Sequence, residues 1–361
     1  MSEFGENIKL SLFGESHAKE VCAILTGIPA GESIDMQELN MLLQRRVPGR
    51  FAWSTARKEA DEPVFSSGVI NEKTNDEPIH ITVENKDAKS ADYEIIKNTP
   101  RPGHADYTAR LKYGADVDMR GGGKFSGRLT VPICVAGGIC LQILQRKGIY
   151  IGAHLLQIGD VKDDSYIKQV KLTREELQKV KGVDFPTINQ SAGTAMQQVI
   201  ERVKTEGDSV GGIIECAVLG IPKGIGGPYF EGVEGALAKA LFAIPAVKGV
   251  SFGAGFGVAS MKGSENNDAF VIQNSEVQTL TNNSGGILGG ITTGVPLIVN
   301  VAVKPTPSIA KAQKTVNLTT MKEEEIQITG RHDPCVAPRA VPVVEAVVGL
   351  VVLDLLIGEG A

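Results

Sequence analysis

Three of the five histidines in this 361-residue chain stand in loop-like settings rich in Gly and Pro: His17 in FGESH, His104 in RPGHADY and His332 in GRHDPC. An imidazole titrating near neutrality is the side chain best suited to give or take a proton at physiological pH, and rigid folds present such groups on loops. The other two, His80 in the alternating run EPIHITVEN and His154 in the apolar YIGAHLLQIGD, read as structural or surface positions. Neither HxH, HExxH nor CxxC occurs, so the spacing gives no indication of zinc.

Arginines accompany these histidines. The stretch RRVPGRFAWSTARK (45–58) carries Arg45, Arg46, Arg50, Arg57 and Lys58 without one acid. Arg101 lies three residues before His104, Arg120 and Arg128 flank GGGKFSG, and Arg331 precedes His332 and Asp333. Guanidinium forks match carboxylate and phosphate oxygens in pairs, so several converging on one pocket would suit a small polyanion. A solvated basic loop is the other reading of 45–58. Gly-rich stretches widen the choice. RGGGKFSGR (120–128) looks like a phosphate cradle, but Phe125 after Lys124 breaks the GxxxxGK[ST] pattern, and GxGxxG is absent, so no dinucleotide fingerprint is present. NNSGGILGGITTG (282–294) and KPTPS (304–308) offer backbone N–H groups, hydroxyls and one ammonium to a phosphate, or are simply turns.

The elements that must position these groups show in the periodicity. Helical spacing is clearest over 35–46, where Met36, Leu39, Leu42 and Leu43 share a face, and over 191–207, which Gly207 ends. Further helices are expected at 136–148 and 233–244, and strands at 77–85, 150–160, 211–220, 249–259 and 296–303. The apolar segment 341–358 contains Glu345 and Asp354 and is short for a membrane span, which predicts a buried helix. GESHAKEVCAILTGIPAG (14–31) aligns without a gap on GDSVGGIIECAVLGIPKG (207–224), with Val210 at the position of His17. Either two related halves pack together, roughly 1–190 and 191–361 of a single domain spanning 1–361, or two Gly-rich strand loops match by chance. If the fold is duplicated, the residue that breaks the symmetry is where chemistry was added.

With 42% hydrophobic residues the chain has ample material for a core, and a net charge of −5 gives no reason to expect nucleic acid or an anionic membrane as partner. Five widely spaced cysteines read as reduced core residues, and MSEFGENIKL shows no signal-peptide pattern, so a cytoplasmic location is expected.

Taken in order along the chain, FGESH, RPGHADYT, RGGGKFSGR, EGDSVGG, AVKGV, SGGILGG, KPTPS and GRHDPC…RAVPVVEA resemble the chorismate synthase family. The resemblance implies an α+β fold, a β-α-β sandwich of two pseudo-symmetric halves whose sheets enclose helices, assembled as a homotetramer. It implies reduced FMN as cofactor and a 1,4-anti elimination of phosphate from 5-enolpyruvylshikimate 3-phosphate, giving chorismate in the shikimate pathway. Catalytic roles fall on His17, as donor to the leaving phosphate, on His104, placed to protonate or hydrogen-bond the reduced flavin, and on Asp333, as acceptor of a flavin proton. Substrate contacts are implied for Ser16, Arg46, Arg101, Arg128 and Arg331. Cofactor contacts are implied for Lys124, Ser126, Ala246, Gly289, Lys304, Pro305, Thr306, Ser308 and again Arg331. A separate NAD(P)H-dependent flavin reductase is implied, since no added segment is evident. The family commonly has RRRPG and RSSARE, and here Val47, Ala52, Lys124, Phe125, Gly127 and Leu129 depart from its pattern. Two other classes compete: a non-catalytic polyanion binder using the 45–58 arginines, and a flavin oxidoreductase that consumes a nicotinamide.

Overall fold

The computed structural model describes residues 2–49, 61–86, 95–168, 172–328 and 332–360. Its first part runs β1 (Ser2–Phe4), β2 (Lys9–Gly14), β3 (Glu20–Thr26), α1 (Met36–Arg46), β4 (Pro63–Ser67), β5 (Val69–Ile70), β6 (Lys73–Thr74), β7 (Ile79–Glu84), α2 (Asp106–Tyr113) and α3 (Thr130–Arg146). Its second part begins with β8 (Tyr150–Ile158), β9 (Val161–Lys162), α4 (Arg174–Lys181), α5 (Gln190–Thr205), β10 (Gly212–Leu219), α6 (Val233–Leu241), β11 (Val247–Phe252) and α7 (Gly263–Asn266). It ends with β12 (Phe270–Gln273), β13 (Glu276–Thr279), β14 (Ile287–Leu288), β15 (Ile291–Thr292), β16 (Leu297–Val303), β17 (Gln313–Asn317), β18 (Lys322–Ile326) and α8 (Ala337–Gly358).

Two five-stranded antiparallel sheets form the outer layers, in the orders β1-β2-β3-β7-β4 and β11-β16-β10-β8-β9. In β3 the pattern EVCAILT alternates, so that Val21, Ala23 and Leu25 are buried while the intervening side chains face partly outward. Between the sheets lie α3 and α8, packed on each other, with α3 against β3 and β7 and α8 against β8 and β10. Both are buried along almost their whole length, which is why they are apolar all round and carry no amphipathic stripe. By length and composition either could cross a membrane, but each is enclosed by protein. Their close crossing depends on Gly137: a Cβ there would lie 2.4 Å from the Ala346 carbonyl oxygen. The polar residues of α8 are spoken for, since Glu345 takes both guanidinium nitrogens of Arg45 (2.6 and 3.0 Å) and Asp354 accepts the Asn7 and Ile8 amides, both at 2.7 Å. Arg45 is thereby a structural cation; Arg50, Arg57 and Lys58 of the same stretch lie outside the described residues.

The two copies of the sequence repeat supply β3 and β10, each the middle strand of its sheet. The turns that follow are built alike. Thr74 Oγ1 donates to the Pro29 carbonyl (2.7 Å) and accepts from the Glu32 amide (2.9 Å); Thr292 Oγ1 donates to Pro222 (2.6 Å) and accepts from Ile225 (2.9 Å). β8 pairs along β10 in the second sheet. The expected strand 249–259 ends at Phe252, where Gly253 takes φ +53° and a 3-10 turn follows. The short helices α2 and α4 were not anticipated.

Candidate functional site

The RPGHAD loop and the start of α2 fold into one polar knot. Asp106, the first residue of α2, accepts the Arg101 amide (3.0 Å) and Nε (2.8 Å) on Oδ2, and Arg101 Nη2 (2.7 Å) on Oδ1. His104 Nδ1 lies 2.7 Å from the same Oδ1, and Arg101 Nη1 reaches the Ser308 hydroxyl at 3.1 Å. Burial works against the charge on Asp106, but the hydrogen bonds from Arg101 and His104 hold its carboxyl well below the usual carboxylate range. For His104, burial lowers the pKa, and the Asp106 hydrogen bond only partly offsets burial and the Arg101 charge.

A second knot joins two more of the expected substrate arginines. Asp61, buried and with φ +50°, accepts Arg46 on Oδ2 (2.7 and 3.2 Å) and Arg128 on Oδ1. Arg128 also donates to Asn85 Oδ1 (2.7 Å) and to the Glu84 carbonyl (2.8 Å). Two guanidinium groups would repel one another if left bare in a buried site, and the shared carboxylate holds them side by side. Arg339, in the first turn of α8, pairs with Asp333 and donates from Nε to the Arg46 carbonyl at 2.9 Å.

Between the histidines runs the triple glycine. Gly121, Gly122 and Gly123 have φ of +59°, +91° and +53°, a path L side chains rarely follow. A Cβ on Gly121 would lie 2.5 Å from Ser16 Oγ and 3.2 Å from His17 Cε1, and one on Gly122 would lie 3.5 Å from His104 Nε2 and from Ser126 Cβ. The Ser16 amide donates to the Gly123 carbonyl at 3.2 Å. Thus 120–128 is no Walker loop. It is a side-chain-free ribbon with His17 against one glycine and His104 against the next.

These groups surround a cavity of about 530 Å³, within the roughly 300–1,000 Å³ usual for small-molecule sites. Of the expected residues, Arg46, Arg101, His104, Lys124, Ser126, Arg128, Ala246, Lys304, Thr306, Ser308 and Asp333 line it. Ser16 and His17 stand behind Gly121, which does line it. Pro305 and Gly289 are not in its wall; Gly289 sits in the β14–β15 turn, next to the partly exposed Leu288 and one residue from Ile291. Arg331 lies outside the described residues. Phe125, at a position where the sequence departs from the family pattern, lines the cavity and tilts against Tyr113, over whose ring Lys124 Nζ sits at 4.4 Å.

One wall is apolar, built by 242–247, where Ala246 takes φ +72° and its carbonyl accepts the Lys304 amide at 2.9 Å. The facing loop carries Lys304, whose ammonium donates to the Gly103 carbonyl, and Thr306, whose buried hydroxyl has no hydrogen-bond partner among the described residues. The second repeat copy braces this side: the Ser209 hydroxyl donates to the Thr306 carbonyl (2.7 Å) and the Val210 amide to the Pro334 carbonyl (2.9 Å). Sequence reasoning missed Asp61, Asp106 and Arg339. Asp106 and Arg339 sit inside the very motifs RPGHADYT and RAVPVVEA, whereas nothing in KEADEPVF marks Asp61.

Comparison with known proteins gives the chain its relatives. The family model for chorismate synthase matches residues 8–357. A chorismate synthase of Pyrococcus abyssi is 50% identical over 355 residues, covering 98% of this chain and 97% of its own length. One of Thermococcus kodakarensis is 47% identical over 357 residues, covering 99% and 98%. A solved structure described as a crystal structure of chorismate synthase superposes with a TM-score of 0.76 at 27% identity, covering 98% of this chain and 93% of that one.

Proposed function

The chain belongs to the chorismate synthase family, a family of carbon–oxygen lyases in aromatic amino acid biosynthesis, and from that premise we propose how its cavity serves the reaction. The reaction removes phosphate from 5-enolpyruvylshikimate 3-phosphate by 1,4-anti elimination and yields chorismate. A substrate bearing one phosphate and two carboxylates needs several cations, and the observation that carries the proposal is the convergence of Arg46, Arg101 and Arg128 on one cavity with His104 and Asp333. Each arginine is prepaired with a buried acid, so its fork is fixed before an anion arrives. We assign Arg331 and Ser16 to the substrate as well.

His17, reaching the ribbon at Gly121, is assigned to donate a proton to the leaving phosphate, whose negative charge grows as the carbon–oxygen bond breaks. Asp333, held by Arg339, is assigned as the carboxylate that accepts a proton within the cavity. The residues present fit reduced FMN. The apolar 242–247 wall suits a ring system, and the unsatisfied Thr306 hydroxyl with Lys304 and Ser308 suits its polar parts. Lys124, Ser126 and Ala246 complete the assigned cofactor set, with Pro305 behind the same loop and Gly289 proposed to reach the site of a neighbouring copy. When bound, reduced flavin supplies electron density to the elimination and regains it, so no net oxidation occurs.

A homotetramer is part of the proposal, supported by Tyr229, Phe230, Phe256 and Ile272, which stand 93, 103, 86 and 72% exposed in the second half. So is a separate flavin reductase in a shared cytoplasmic compartment, in keeping with the lack of a dinucleotide fingerprint. Anaerobic assay of phosphate release with reduced FMN tests the reading. We predict release from 5-enolpyruvylshikimate 3-phosphate with no cofactor consumed per turnover. Stoichiometric oxidation of a nicotinamide would instead make the chain an oxidoreductase.

A further inference from the structure

We propose that Asp106 is a positioning residue that holds His104 as its Nδ1–H tautomer, leaving Nε2, turned to Gly122 and the cavity, as the nitrogen through which the ring exchanges a proton. The inference deepens the function proposed above and rests on it for the identity of the group that shares this proton, but the tautomer itself follows from the geometry of the free chain.

Two groups approach His104 Nδ1: Asp106 Oδ1 at 2.7 Å and Arg101 Nη2 at 3.0 Å. Arg101 is a donor only, and an ionised carboxylate is an acceptor only. Were Nδ1 bare, it could accept from Arg101, but its lone pair would then face a carboxylate oxygen at 2.7 Å. With a proton on Nδ1 that contact becomes a charge-assisted hydrogen bond, and Arg101 Nη2 loses nothing, because it already donates to the same Oδ1 at 2.7 Å. Asp106 cannot turn away to relieve the alternative: its other oxygen is fixed by the Arg101 amide and Nε, and its side chain is 3% exposed.

Direction follows from the tautomer. Nε2 is the nitrogen facing Gly122, where the absent Cβ leaves the approach open. A neutral His104 therefore has no Nε2 proton to give. The ring gains a proton at Nε2 and gives it to a bound acceptor from the same nitrogen. The imidazolium so formed is opposed by burial, by Arg101 and by Lys304 from the loop after β16, and supported by Asp106.

Nitrogen-15 NMR of histidine-labelled chain without FMN, near pH 8, reads the tautomer directly. His104 is assigned by the signals lost in His104→Gln. We expect a protonated Nδ1 and a pyridine-like Nε2 in the wild type. Asp106→Asn, whose carboxamide can donate to Nδ1, should move the proton to Nε2, and Asp106→Glu should restore the original pattern. An Nε2–H signal in the wild-type chain overturns the proposal outright, even if Asp106→Asn fails to fold. In the loaded enzyme Asp106→Asn should lower turnover about a hundredfold or more. A wild-type chain that shows the expected tautomer but releases no phosphate sinks the proposed function and leaves the positioning role standing; one that releases phosphate with Nε2–H does the reverse.

Discussion

The turn at 14–17 and the turn at 207–210 occupy equivalent places in two halves of one fold, and they do different work. In the first, Ser16 and His17 lean on Gly121, and an imidazole arrives at the edge of the cavity. In the second, Ser209 and Val210 hold the backbone of Thr306 and Pro334 and so fix the wall opposite. The two similar strand-ends thus differ in what they carry, one bracing backbone and the other bearing an ionisable side chain. The outer sheet faces diverge in the same way. Cys22 of β3 and Glu215 of β10 are equivalent in the repeat, but Cys22 only approaches Thr82 (3.7 Å), whereas Glu215 holds His154 at 2.9 Å, with Asp163 on the other ring nitrogen at 3.2 Å.

That contrast can be broken or sharpened by mutation. The largest effect is expected at His154, which is fully buried. His154→Ala leaves two buried carboxylates without their cation, and we predict a loss of about 3–5 kcal/mol in chemical denaturation. Burial alone would lower the His154 pKa, but hydrogen bonds and charge from Asp163 and Glu215 outweigh it and raise the pKa. The native state then holds its proton more tightly than the unfolded chain, so this stabilisation is complete below about pH 6.5 and shrinks as pH rises through the folded pKa. The gap between wild type and variant should therefore be wider at pH 6 than at pH 9; a gap that widens with pH would mean the ring is neutral.

Gly121→Ala comes next. Its Cβ would fall 2.5 Å from Ser16 Oγ at a φ of +59°, displacing His17 from the ribbon. We predict kcat/KM down about a hundredfold, near 2.7 kcal/mol, with the fold retained by circular dichroism. Undiminished activity would show that His17 acts from elsewhere. Smallest and most diagnostic of the symmetry are Thr74→Val and Thr292→Val. Both hydroxyls are buried and bridge equivalent backbone groups, so each should cost about 1–3 kcal/mol, and the two values should agree closely. A large difference would make the halves alike in shape only.

Much of this was legible in the linear sequence. The 3.6-residue period of 35–46 and the apolarity of 341–358, interrupted only by Glu345 and Asp354, follow from the faces those helices bury, and the 14–31/207–224 match located both central strands. The loop histidines and arginines were visible as candidates because Gly and Pro surrounded them. What stayed hidden were pairings between distant segments. Asp61 with Arg46 and Arg128, and Arg45 with Glu345, depend on how α1 packs against α8 and against the segments that precede β4 and α3, and no local pattern encodes that. The glycine run was visible, but adjacent glycines signal close approach without saying what approaches. β8 reads as an ordinary strand, and only its pairing with β10 places it in the second sheet.

The division of labour between the two turns is tested most directly by measuring, on the same preparations, FMN dissociation constant and single-turnover rate for His17→Ala and Ser209→Ala. The account predicts opposite outcomes. His17→Ala should lose about a hundredfold to ten-thousandfold in rate with flavin affinity nearly unchanged. Ser209→Ala should weaken flavin several-fold, from a hydrogen bond of about 1 kcal/mol, and keep its rate once saturated. If the two variants lose rate and affinity in parallel, the turns share one role and the central claim is wrong.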